Sequence, residues 1–180
     1  AEFVDLLLER GARVPESGPQ WQGMLYQAAA NGLPALFRRL TDKGPDVKAD
    51  DPSGQELLHA AATGGSAEIV GLLVGRGFDP SRPDRFGWTP LHYAARDGRL
   101  EAARMLIERG APLEARTVMG QSAYDIAKER AMADVASFLA GKGADKGGIR
   151  FPVLEGDYLG RTPPAGDKAE LFAPGILSST

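Results

Sequence analysis

Gly11, Gly44, Gly77, Gly110 and Gly143 stand 33 residues apart, and each follows a leucine by four positions: Leu7, Leu40, Leu73, Leu106 and Leu139. No other feature of the chain limits its fold as much. A unit of 33 residues is too short to bury a core by itself, so its apolar face must be covered by copies of itself. A leucine followed four residues later by glycine is the pattern of a helix whose last turn ends in a left-handed residue. Upstream of Gly110, the apolar residues Ala102, Ala103, Met105 and Leu106 recur at helical spacing. Each unit therefore closes with a helix.

The other half of the unit repeats as well. GWTPLHYAA (87–95) lies 33 residues after GQELLHAAA (54–62), which lies 33 after WQGMLYQAA (21–29); GQSAYDIAK (120–128) continues the register. Thr89 is expected to cap a first helix through its side-chain oxygen, with Pro90 at the first helical position. The alanine pairs 28–29, 61–62 and 94–95 let two helices approach closely, and Gly65 and Gly98 are expected to end the first helix. The copies are uneven. The unit at Trp21 lacks both the glycine and the Thr-Pro, and the unit at Gly120 has Ser122 in place of the threonine. The earliest copy begins inside its second helix at about Glu2, which suggests that sequence once preceded Ala1.

A period of 33 with T-P-L-H-x-A resembles the ankyrin repeat family. The fullest copy is DRFGWTPLHYAARDGRLEAARMLIERGAPLEAR (84–116), and the resemblance runs from residue 1 to about 147. It implies an all-α solenoid over residues 1–148. That span divides into a partial unit 1–17 and units of about 18–50, 51–83, 84–116 and 117–148, with an extended tail over 149–180.

Composition then limits function. Net charge is −3 with both signs mixed along the chain, which lacks the basic stripe of a nucleic-acid binder. With no cysteine there are no disulfides and no thiolate ligands. No run of 18 apolar residues occurs, and the opening AEFVDLLLERG has no basic-then-apolar order of a signal peptide. His59 and His92 are the only histidines and occupy one column of the repeat. The resemblance implies that they bond backbone in the turns, and no third ligand stands near to complete a metal set. The serines lack a G-x-S-x-G setting, and GKGADKG (141–147) has neither a preceding strand nor the Ser or Thr of a phosphate loop. We expect no catalytic residue, no metal and no cofactor.

A protein partner is the expectation instead. Ankyrin proteins bind through turn tips and the exposed side of the first helices. In this register those positions are Pro52, Ser53, Gln55, Thr63 and Gly64; then Arg85, Phe86, Trp88, Arg96 and Asp97; then Val118, Met119, Gln121, Glu129 and Arg130. Phe86, Trp88, Val118 and Met119 are apolar where turns are usually polar, and aromatics beside arginine are the makings of a binding hot spot. For Trp88 two readings stay open, an exposed anchor or packing against neighbouring loops.

After Gly148 the period stops. Prolines at 152, 163, 164 and 174 exclude a long helix, while Phe151, Leu154, Tyr158, Leu159, Leu171, Phe172, Ile176 and Leu177 supply more apolar anchors than a plain linker has. The segment is expected to dock on the last repeat or on an adjacent domain. GDYLGRTPPAGDKAELFAPGILSS (156–179) is similar to an entry segment of the form YLGQxPPG…EIFAPGIIS ahead of exported TolB-like β-propellers. That similarity implies a bacterial protein, cytoplasmic or exported, and an alternative role as the regulatory or substrate-recruiting part of a larger exported enzyme or propeller protein.

Overall fold

The computed structural model describes residues 18–44, Val47 and 52–145; the partial unit 1–17 and the tail 149–180 lie outside the described residues. Eight helices occur among those described: α1 (Gly18–Ala30), α2 (Pro34–Lys43), α3 (Pro52–Gly64), α4 (Ala67–Gly75), α5 (Pro90–Arg96), α6 (Leu100–Glu108), α7 (Ala123–Glu129) and α8 (Ala133–Gly141). They pair as antiparallel neighbours, α1 with α2 through α7 with α8. The first helices α1, α3, α5 and α7 stack in one row, and the second helices α2, α4, α6 and α8 in another. The architecture is the all-α repeat solenoid expected from the period.

The stacking has a simple cause. Ala28, Ala29, Ala61, Ala62, Ala94, Ala95, Ala102 and Ala103 are all fully buried, so helices meet with almost no side chain between them. The larger core residues, Phe37, Leu40, Leu58, Ile69, Leu73, Phe78, Leu91, Leu106 and Leu139, fill the space between the two rows. Truncating one such leucine to alanine costs about 2–5 kcal/mol of stability.

Local sequence decides where each helix starts. Pro34 and Pro90 sit in the first turn of α2 and α5, where a missing N–H goes unneeded. Ser66 caps α4 by accepting from Ile69 N–H at 3.3 Å. Before α7, Ser122 Oγ accepts from Asp125 N–H at 3.2 Å while the Asp125 carboxylate accepts back from Ser122 N–H at 2.9 Å. Each end satisfies the other, which is a capping box.

Two expectations are corrected here. Pro52, Ser53 and Gln55 are not at a turn tip, because they lie within α3, which runs 13 residues where α5 runs 7. Gln55-Glu56-Leu57 stands where Trp88-Thr89-Pro90 stands one unit later. Without Thr-Pro nothing starts the helix there, so it begins at Pro52 instead. The unit before it does the same, and its α1 is also 13 residues long.

Gly44 is the other correction. Gly77, Gly110 and Gly143 have φ of +92°, +89° and +94°, but Gly44 is extended at φ −94°, ψ −176°. In three units the residue after the glycine returns a hydrogen bond to the repeat leucine: Phe78 N–H to Leu73 O (3.2 Å), Ala111 N–H to Leu106 O (2.9 Å) and Ala144 N–H to Leu139 O (3.0 Å). After Gly44 comes Pro45, which has no N–H to give. The indole of Trp21 supplies it instead, donating Nε1–H to Leu40 O at 3.0 Å. A Cβ on Gly44 would run into that indole, so glycine serves here for close approach and not for a left-handed turn.

Candidate functional site

Between the helix pairs the chain makes short fingers, and two are described in full. In 84–88, Asp84 N–H donates to Trp88 O (2.9 Å) and Gly87 N–H to Asp84 O (3.0 Å). The Asp84 carboxylate accepts from Phe86 N–H and Trp88 N–H, both at 2.8 Å. One repeat on, Thr117 takes the place of the aspartate. Its N–H donates to Gln121 O (3.0 Å), and its hydroxyl accepts from Met119 N–H and Gln121 N–H, both at 3.3 Å. The fingers are joined by Val118 N–H donating to Phe86 O at 3.1 Å.

The histidines hold the fingers to the helices. His92 Nδ1 accepts from Thr89 N–H at 3.0 Å and lies 2.9 Å from the Thr89 hydroxyl, while Nε2 lies 3.1 Å from Ala115 O. That pattern places the proton on Nε2. His59 Nε2 is likewise 3.1 Å from Trp88 O. Each ring thus ties a first helix to backbone at the edge of the next finger, as the resemblance implied. His92 is 1% exposed, and burial pushes its pKa down to about 4. Among the described residues no group of three His, Cys, Asp or Glu could hold a metal ion.

The expected binding positions divide into braced and exposed residues. Trp88 is half-buried, with its ring 5.3 Å from Tyr93 and 6.1 Å from His92, so the packing reading of Trp88 is the one the geometry favours. Arg96 makes two hydrogen bonds to Asp97, at 2.8 and 2.7 Å, and its guanidinium lies 4.9 Å from the Tyr93 ring and 5.8 Å from Trp88. Gln121 Nε2 donates to Glu129 at 2.7 Å, and Arg130 is exposed at the end of α7. Phe86, Val118 and Met119 are the open ones, at 51%, 60% and 62% exposure, and the Arg85 guanidinium lies 4.8 Å over the Phe86 ring.

Behind Phe86 runs a groove of about 610 Å³ that the repeat register did not reveal. Tyr26, Glu56, His59 and Tyr93 from the first helices form one wall, and Arg82, Asp84, Arg85 and Phe86 from the finger form the other. Tyr26 was hidden by its column. It occupies the place of His59 and His92 and reads as a decayed copy, yet its ring is 41% exposed in the groove. Tyr93 is held by its hydroxyl, which donates to Asp84 Oδ2 at 2.8 Å. Burial, and then that acceptor, raise the tyrosine pKa to about 12. Burial alone would raise the Asp84 carboxyl, but hydrogen bonds from Trp88 N–H, the Tyr93 hydroxyl and Phe86 N–H outweigh it and keep the group ionised.

A family model described as ankyrin repeats (3 copies) matches residues 25–117 and 86–149. No curated protein matches the chain. Ankyrin repeats are generally protein–protein interaction modules and are typically non-catalytic. No helix among the described residues is long and apolar enough to cross a membrane. The glycine and leucine columns, the two helix rows, the histidine ties and this match agree: the chain belongs to the ankyrin repeat family.

Proposed function

We propose that this chain is a non-catalytic interaction module that takes a protein partner in the groove and along the finger tips. One observation carries the reading. Tyr26, Phe86, Val118 and Met119 are the large apolar side chains most exposed among the described residues, and they fall on one continuous face. Tyr26 and Phe86 both line the groove, and the Phe86 backbone is bonded to Val118. Exposed apolar surface gathered in this way marks an interaction site.

Division of labour follows from the geometry. Phe86, Val118 and Met119 are anchors, with Arg85 stacked on Phe86 as a charged partner to it. Trp88, Arg96 and Asp97 are the braced wall that keeps the groove open, and Gln121 and Arg130 are polar rim. Because the wall is prefixed by hydrogen bonds, little ordering cost falls on binding. Glu56 opposite Arg82 and Arg85 suits a segment that carries an apolar anchor between charges of both signs.

The test uses the chain and a Phe86→Ala, Met119→Ala variant as paired baits. Trp88 is left intact because its truncation would disturb the wall. The two baits should melt alike, since both changed side chains are exposed. A partner held by the parent should lose at least about 2 kcal/mol of binding to the variant, roughly thirtyfold in Kd. Equal affinity for both baits would remove the fingers from the site.

A further inference from the structure

The outermost described finger, 117–121, offers Val118 and Met119 side by side and mostly exposed, and the chain leaves the last helix directly beside it. From α8 onward it retraces the path taken one unit earlier. Ala144 N–H returns to Leu139 O at 3.0 Å, as Ala111 N–H returns to Leu106 O at 2.9 Å, and Ala144 and Ala111 are both buried. Next, Asp145 is fastened onto the strand that leads into the 117–121 finger. Its N–H donates to Glu114 at 3.0 Å, and its carboxylate is 3.5 Å from Arg116. The course of the repeat is therefore kept to the last described residue.

Continuing the register by 33 places Phe151 opposite the position of Val118, and Pro152 opposite that of Met119. We propose that residues 150–154, RFPVL, dock in cis on the 117–121 finger as a final half-finger. The Phe151 N–H then donates to the Met119 carbonyl, as Val118 N–H donates to Phe86 O. The sequence suits this place. Gly147 and Gly148 give a free approach, and the residue before a proline favours the extended backbone that such pairing needs. Phe151 keeps the one N–H that the bond requires, while Pro152 has none to offer a further strand. A proline at the outer edge ends the row and guards it against pairing with another chain. Phe151, Val153 and Leu154 bring apolar surface to the finger that is otherwise most exposed. The partner surface then centres on Phe86 and the groove, with the tail forming its border.

The absence of native cysteine makes a direct test possible in the full chain. Met119→Cys with Arg150→Cys pairs the two fingers and leaves Phe151 and Pro152 in place; Met119→Cys with Ser178→Cys is the control for a tail that merely reaches. Mild oxidation is followed by mass spectrometry, with no partner present, so the result is independent of the proposed function. The 119–150 pair should close its disulfide about tenfold or more faster than the 119–178 pair. Adding Phe151→Pro to the 119–150 pair removes the donor and should bring its rate down to that of the control. Equal rates for the two pairs would overturn the docking, and a rate unmoved by Phe151→Pro would overturn the backbone pairing.

Discussion

His92 does three jobs with one ring, and its protonation state decides whether it can do them. Nδ1 must be bare to accept from Thr89 N–H, and Nε2 must carry the proton it gives to Ala115 O. The neutral ring fits, and a second proton would have to go where an acceptor is needed. Burial keeps the folded pKa near 4, whereas the unfolded value is about 6.5. The unfolded chain thus binds the proton first as pH falls. The stability from neutral His92 is complete above about 6.5 and is lost progressively down to about 4, a total on the order of 3 kcal/mol. Urea melts at pH 7.5, 5.5 and 4.5 should show this decline. His92→Ala should lower stability at pH 7.5 by roughly 2–3 kcal/mol, through the lost cap and the unpaired Ala115 carbonyl, and should flatten the pH dependence. A variant that kept the parent's slope would assign the titration to another group.

Among the elements, one column separates the last unit from the rest. Gly32, Gly65 and Gly98 join first helix to second with φ of +62°, +81° and +66°; the same place in the last unit is Ala131 at φ +58°. Steric reasons for glycine differ along this column. A Cβ would come within 2.6 Å of Gly64 O at Gly32, 2.8 Å of the Arg99 side chain at Gly65 and 2.7 Å of Met132 at Gly98, because each joint is covered by the next repeat. Ala131 is exposed and has room for its methyl, but the left-handed backbone still costs about 1–2 kcal/mol. Ala131→Gly should therefore raise stability by about 1 kcal/mol, a few degrees in Tm, with binding unchanged. A lower Tm would mean that the methyl packs on something. The same column shows where reading the sequence stops. The helix pairs and their register follow from glycine and leucine spacing. The long α1 and α3 do not, because repeat register carried the turn over from units that have Thr-Pro into units that lack it. Their signals were present in the absent Thr-Pro, in Pro52, and in Pro45 directly after Gly44. Phe86, Val118 and Met119 were legible because tips face outward in any such unit. The groove was not, since it joins Tyr26, Glu56 and Arg82 across more than one repeat, at positions the register assigns to structure.

At the scale of the molecule the solenoid has no long-range closure. α8 packs on α7 and α6, whereas α4 packs on α3 and α6 and also touches α2. Stability in such an array is close to a sum of unit terms and neighbour terms, so the effect of a core lesion depends on where it falls. Leu73 and Leu139 occupy the same column, and both are fully buried. Replacing either with alanine should cost about 2–5 kcal/mol locally. Leu139→Ala removes that from the terminal pair, which has neighbours on one side only. Amide exchange should accelerate in α7 and α8 by roughly a hundredfold, while α3 to α5 stay near the parent's protection, because the end can open by itself. Leu73→Ala strikes a unit that couples both directions. Exchange should accelerate on both sides, in α2 and α3 as well as in α5 and α6, and unfolding should lose cooperativity. Partner affinity separates the two again. The groove lies over the middle units, so Leu73→Ala should weaken binding as the wall loosens, and Leu139→Ala should leave it nearly intact. Hydrogen exchange read by mass spectrometry on the two variants decides the matter. Protection lost evenly along the chain in both would mean that the array opens as one cooperative block, with a rigid surface maintained from end to end.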